Sequence, residues 1–343
     1  MPTFYENDPS LQSYWRAIIL YGRNVASFKF ALAKVLIDLN KQPNDLIKLD
    51  DLADPFSKHL CEHLRRNDRQ GTSSSSSFLD ACRKYNKNEI KHDQLINITK
   101  RIGFKDVIDA FHTVNAKPIP KPFYIDERRT NGGIRITEDF YRLAEFQESE
   151  NFPSEVEARW RLVETAWKIG ISPDLLEVKH DKAKEIFFVG SSNNRIDVTS
   201  SRDALNGYQK SKCFFCYGYI SIISHSPSIA QVDHFFPHKL LNSEQSSGFG
   251  HLDGVWNLVL ACRECNRGEG GKFAKLPALK LLERLNRRNE YLCSSHHPLR
   301  ETIIKQTGEN EGERRVFLQK VFDEAKDILI HTWEPEPKDI ATF

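Results

Sequence analysis

The chain has 343 residues, 39% of them hydrophobic and 28% charged, with a formal net charge of +2. Such a balance belongs to a soluble, globular protein with room for two or three domains, and it excludes a chain that is basic throughout. No apolar run is long enough to span a bilayer, and the opening "MPTFYENDPSLQSYW" lacks the basic-then-apolar order of a signal peptide. A cytoplasmic location, with no membrane partner, is therefore the expectation.

Residues 11–40 predict one long helix, because apolar side chains recur at Tyr14, Ile18, Tyr21, Val25, Phe28, Leu32 and Val35. "DPFSKHLCEHLRR" predicts another. The serine-rich "GTSSSSS" (71–77) is a break, and "FLDACRKY" and "DQLINITKRIGFKDVIDAFHTV" resume helical spacing. Pro118, Pro120 and Pro122 then stop any helix. "FYIDERR", "TNGG" and "IRIT" follow as strand, turn and strand. "PSEVEARWRLVETAWKIGI" is an amphipathic helix with Val156, Trp160, Val163 and Trp167 on its core stripe. "EIFFVGSSNNRIDVTSS" suggests a second hairpin, and "SRDALNGYQKSK" a short helix leading to Cys213. The tail "RRVFLQKVFDEAKDILIHTW" is amphipathic and is expected to pack back on the body. The resulting division is a helical region over 1–115, a mixed α/β section over 116–205, a cysteine-bounded module over 206–290 and a helical tail over 291–343. The fold class is α+β and mostly helical, with short β-hairpins.

Seven cysteines, an odd number, argue against a disulfide framework. Cys61, Cys82 and Cys293 stand alone and read as core or surface thiols. Cys213–Cys216 and Cys262–Cys265 are two Cys-x-x-Cys pairs with 45 residues between them. Two such pairs suit one tetrahedral four-thiolate zinc site with no open position, hence a structural one. A redox reading needs only one pair. Between Arg263 and Arg300, nine Lys or Arg face four Glu, a local excess that fits either a solvated helix face or phosphate binding. "RGEGGK" lacks the Gly-Lys-Ser/Thr ending of a nucleotide-binding loop.

What lies between the thiols carries more. "QVDHFFP" presents Asp233 and His234 at the end of a short strand. "GVWNLVLACRECN" presents Asn257 and, directly after the last cysteine, Asn266; Lys272 follows. In order and spacing this string resembles the HNH nuclease motif in its zinc-bound form, over about 60 residues of the chain. The resemblance implies a ββα-metal finger that hydrolyses DNA phosphodiester bonds. It makes His234 the general base, gives Asp233 and Asn266 a divalent metal, Mg2+ or Mn2+, and makes Asn257 a brace for the loop that carries His234. The last motif position is often His in that family and is Asn266 here, which leaves the metal preference open. Arg267 and Lys272 are candidate phosphate contacts, while His238 and His251 read as solvated loop residues.

The residues 1–205 are expected to sense a signal or a partner and license the nuclease, as in bacterial restriction or anti-phage systems, an expectation drawn from the family. A homodimer would allow double-strand cutting. The alternatives are a non-catalytic, zinc-stapled nucleic-acid-binding adaptor and a mobile-element nuclease.

Overall fold

The structure, a computed structural model, describes the chain apart from residues 1–8, 23, 40–44, 74, 192–194, 243–251, 296 and 342–343. It is a mixed fold in which helices predominate and the sheets have two or three strands. Two compact units part at Pro173, inside the section that the sequence marks as 116–205. No helix among the described residues is long and apolar enough to cross a membrane.

The first unit, Pro9–Pro173, holds helices α1 (Leu11–Tyr21), α2 (Phe28–Leu39), α3 (Leu49–Arg66), α4 (Ser77–Asn86) and α5 (Phe152–Lys168). Its sheet has the order β1 (Leu46–Lys48), β3 (Gly133–Ile136), β2 (Tyr124–Glu127), so the hairpin expected around "TNGG" is present. The single helix expected over 11–40 is two. Gly22 closes α1 with extended backbone, ψ 146°, and Lys29 Nζ donates to its carbonyl at 2.7 Å. A Cβ at Gly22 would lie 2.7 Å from the Ile18 carbonyl oxygen, so the turn depends on glycine. Val25 falls in the break and is 61% exposed instead of lying on the apolar stripe. The stripe of α5 is as expected: Val156, Trp160, Val163 and Trp167 are all buried. Buried polar groups are paired around it. Arg16 grips both oxygens of Glu155 at 2.8 Å, Trp160 Nε1 donates to Gln70, and the His63 ring stacks on Trp160 at 3.5 Å.

The second unit begins at Asp174. A three-stranded antiparallel sheet, β4 (Lys179–Asp181), β5 (Ile186–Val189) and β6 (Ile196–Ser200), contains the expected second hairpin. Ser200 caps helix α6 (Ser201–Gln209) by accepting from the Asp203 N–H. Strands β7 (Gln231–His234) and β8 (Leu258–Ala261) then pair antiparallel, with His234 opposite Leu258 and Asp233 opposite Val259. Gln209 treats β8 as a strand edge: its amide accepts from the Leu260 N–H and donates to the Leu260 carbonyl, both at 2.8 Å. Helix α7 (Arg263–Arg267) is only five residues long. From its sequence, "RGEGGKFAKLPALKLLERL" looks like one helix following Asn266, but the helix starts only at Leu279, as α8 (Leu279–Cys293), because the glycine-rich turn intervenes. Helices α9 (Arg300–Thr307) and α10 (Glu311–Ile328) complete the unit, and α10 is fixed to α8 by the buried Arg314–Glu290 pair at 2.5 Å.

Candidate functional site

The four thiols meet. Cys213, Cys216, Cys262 and Cys265 have their sulfurs within 4.8 Å of one another, and Cys216 Sγ lies 3.8 Å from Cys262 Sγ. A tetrahedral site with zinc–sulfur bonds near 2.3 Å has sulfur–sulfur edges of about 3.8 Å, so the donor set fits zinc in chemistry and in spacing. The backbone turns that deliver the thiols are themselves bonded to them: Cys262 N–H donates to Cys213 Sγ at 3.3 Å, and Cys265 N–H to Cys262 Sγ at 3.4 Å, which caps α7. Hydrogen bonds from Cys213, Cys216 and Cys265 hold the Cys262 thiol far below its ordinary value, while burial pushes Cys213 up. Four touching sulfurs share negative charge poorly unless a cation joins them. Phe214 and Phe215, between the first pair, are buried against Phe235, so "CFFC" supplies core as well as ligands.

Beyond the cysteines, β7 ends at His234, which is 5% exposed. Asn257, fully buried, holds the chain that follows. Its side-chain oxygen accepts from the Phe236 N–H at 2.8 Å, and its amide donates to the carbonyls of Phe236 at 3.1 Å and Leu252 at 2.8 Å. Arg288 on α8 supports the segment that carries Asn257, donating to the carbonyls of Trp256 and Leu258 at 2.9 Å. Arg288, Arg284 and Lys272 are all buried, so three of the nine cations counted after Cys262 are internal and do not belong to a surface patch.

Lys272 lies inside, away from the surface expected of a phosphate contact. Its side chain is 1% exposed, its ammonium lies 3.2 Å from Asp233 Oδ2, and it donates to the His234 carbonyl at 3.0 Å. It is turned inward and offers nothing to a phosphate. "RGEGGK" explains how it gets there. Gly268 and Gly271 lie against Glu264, where a Cβ would come within 2.7 Å of backbone atoms, and Gly270 has φ +74°. This tight return brings the Lys272 N–H to the Cys265 carbonyl at 2.7 Å.

Asp233 lies on β7 and Asn266 beside it, and each has a partner through at least one polar atom. Asp233 faces Lys272 and accepts from the His234 N–H at 2.8 Å; burial still raises its carboxyl above the ordinary value against the pull of Lys272. Asn266 donates its amide to Gln231 Oε1 at 2.8 Å. The Asp233 oxygens are thus engaged by the His234 N–H and the Lys272 ammonium, while the hydrogen bond of Asn266 uses its nitrogen and leaves its oxygen uncommitted. Arg267 is exposed on α7.

Instead, His234 is joined by residues that the sequence left aside. His234 Nε2 lies 3.1 Å from His238 Nε2 and 3.3 Å from Asp253 Oδ1, and His238 Nε2 lies 2.9 Å from the same oxygen. His180, on β4, brings its ring to 6.2 Å from that of His234, and neither of its nitrogens has a hydrogen-bond partner. Asp253 and His180 also line a cavity of about 720 Å³ with Lys179 and Lys305. Burial, and then the neighbouring His238, His180 and Lys182, keep the His234 imidazole neutral, with its pKa down to about 2. Burial likewise lowers His238 and His180. The four-residue step from His234 to His238 was the one visible sign of this cluster; Asp253 and His180 carry none in the sequence. His251 lies outside the described residues. Compared with known proteins, the chain matches no family model, no curated protein and no solved structure.

Proposed function

We propose that the chain is a metal-dependent endonuclease of the HNH type that hydrolyses phosphodiester bonds in DNA, its finger held in shape by structural zinc. One observation carries this reading. A buried, neutral His234 ends a strand of a β-pair, and beside it converge a second imidazole and a carboxylate at the rim of a cavity. A staple that only held the chain together, or bound nucleic acid passively, would need the four cysteines and none of these groups.

The chemistry needs a water activated for attack and compensation for the charge on the scissile phosphate. A divalent cation, when bound, supplies that compensation. A neutral imidazole at position 234 can take a proton from water or hold the cation. Asn257 fixes the loop that follows it, Arg288 holds the segment that carries Asn257, and Arg267, exposed on α7, is the phosphate contact in this reading. The unit Pro9–Pro173 is assigned the sensing or partner-binding role, and two copies would be needed to cut both strands.

The test is supercoiled plasmid incubated with the zinc-loaded protein and Mn2+ or Mg2+. Nicking that EDTA stops and His234→Ala abolishes is expected. Intact plasmid with every cation tried, or undiminished nicking by His234→Ala with normal zinc content, refutes the reading.

A further inference from the structure

We infer that His234, His238 and Asp253 form one face of a divalent-metal site, and that this site takes a first-row transition ion in preference to Mg2+. The inference deepens the nuclease reading and rests on it for the substrate, a phosphodiester.

The geometry argues first. The three ligand atoms form a nearly equilateral triangle with edges of 2.9, 3.1 and 3.3 Å. For bonds near 2.1 Å, neighbouring ligands of an octahedral ion lie about 3.0 Å apart and those of a tetrahedral ion about 3.4 Å. The observed edges fall across that interval. A triangle of this size leaves the remaining coordination positions of such an ion open on one side, which is where substrate oxygens bind.

Protons cannot close the triangle. A neutral imidazole Nε2 carries either a proton or a lone pair, and an ionised carboxylate only accepts. If both Nε2 atoms are protonated, the 3.1 Å edge sets donor against donor. If one is, its single proton must serve two acceptors while the other nitrogen's lone pair faces the Asp253 oxygen. If neither is, all three edges set lone pair against lone pair. Each assignment leaves at least one unfavourable contact, and a cation at the common focus removes every one of them.

Charge points the same way. Asp233, which the motif would give to the metal, is held by Lys272 at 3.2 Å, whereas Asp253 is 58% exposed and lies against the two imidazoles. The donor set decides the ion. Two imidazoles with one carboxylate suit Mn2+, Fe2+, Co2+, Ni2+ or Zn2+, while Mg2+ favours oxygen ligands and water. His234 is then a ligand and not a free base, and water on the ion's open side loses its proton more readily than bulk water does.

The test is Mn2+ binding to the full chain with its zinc in place, followed by the loss of the free-ion resonance in electron paramagnetic spectra and by nitrogen couplings in pulsed spectra. Wild type binds one Mn2+ with imidazole nitrogen couplings, and a hundredfold excess of Mg2+ does not displace it. His238→Ala and Asp253→Asn, both at partly exposed positions, each weaken binding at least tenfold with zinc content and circular dichroism unchanged. Asp233→Asn and Asn266→Ala, compared only at wild-type zinc content and circular dichroism because the first strands the buried Lys272, bind Mn2+ as wild type does. The inference is overturned if no Mn2+ binds, if nitrogen couplings are absent, or if Asp233→Asn and Asn266→Ala lose the ion while His238→Ala and Asp253→Asn keep it. Plasmid nicking by the same preparations separates the two readings. Mn2+ bound as described without nicking refutes the nuclease and leaves the site. Nicking with Mn2+ held elsewhere does the reverse.

Discussion

Asn257→Ala should cost the second unit about 3 kcal/mol. The Asn257 side chain makes three hydrogen bonds, all buried: from the Phe236 N–H at 2.8 Å, and to the carbonyls of Phe236 at 3.1 Å and Leu252 at 2.8 Å. Each is worth about 1 kcal/mol net, and truncation leaves three backbone groups unpaired without admitting enough room for solvent to replace them. Domains of this size hold only about 5–15 kcal/mol in total, so the loss is a large share. At about 2–4 °C per kcal/mol, the unfolding midpoint of this unit should fall by roughly 6–12 °C in calorimetry. Activity should suffer below that transition too. Phe235 N–H donates to the Asn257 carbonyl at 2.8 Å, so the loop that follows His234 is bound to this residue twice, and a displacement near 1 Å costs about a hundredfold in rate. Asn257→Asp is the control. It keeps the acceptor for Phe236 N–H but sets oxygen against two carbonyls, and should be at least as destabilising as alanine. A loss below 1 kcal/mol for both variants would refute the bracing role. Loss of cleavage with an unchanged melt would instead place Asn257 against the substrate.

Removing the zinc ligands should unfold the second unit: a Cys213→Ser/Cys265→Ser variant should carry no zinc and show no cooperative transition for that unit, and full zinc occupancy by elemental analysis would contradict the four-thiol site. Lys272→Met should destabilise by about 3–5 kcal/mol, because it strands the largely buried Asp233 carboxylate, and should leave the salt dependence of DNA binding unchanged. Arg267→Ala should do the opposite, leaving the melt alone and lowering the slope of log affinity against log salt by about one; the reverse assignment in binding titrations would return Lys272 to the surface. In the first unit, burial disfavours charge on His63, but the hydrogen bonds it donates to Glu157 and Glu164 outweigh it and raise its pKa. Glu157, despite burial, is held down to about 2, first by His63. The raised histidine stabilises fully below about 6.5 and loses that contribution as pH climbs through its folded pKa; the depressed Glu157 stabilises above about 4.5 and loses its contribution as pH falls toward 2. Thermal stability of this unit should therefore peak between those limits, and a rise from pH 6 to 8 that His63→Gln does not abolish would refute the pairing.

Local chemistry was legible wherever one residue type decides one element. The "TNGG" turn, the strands around it and the apolar stripe of α5 all follow from short-range rules, and the structure has them. Periodicity misled where glycine overrode it. The spacing from Tyr14 to Val35 is continuous, yet Gly22 sits where a Cβ would strike the Ile18 carbonyl, and the helix breaks. The same limit applies after Cys265. A charge count over 263–300 treats every cation as solvated, but Arg284 and Arg288 belong to the inner face of α8, and only the fold reveals which face that is.

The candidate site shows why a motif reads further than a spacing and still falls short. Asp233, His234, Asn257 and Asn266 could be picked out because they stand near cysteines in a fixed order, and an order constrains which residues the β7–β8 pair brings close. It does not say which way a carboxylate is compensated. That depends on Lys272, carried beneath β7 by a glycine turn whose sequence looks like a loop for phosphate. Once Lys272 has taken Asp233, the charge available to a cation must come from elsewhere, and the exposed carboxylate in reach of His234 is Asp253. Asp253 and His180 approach His234 from the loop before β8 and from a different sheet, at separations of 19 and 54 residues along the chain. A reading confined to the cysteine-bounded module would miss His180, and order alone gives Asp253 no mark within it. The proposed metal site would therefore depend on a lysine outside its ligand set: replacing Lys272 should free Asp233 to compete for the ion.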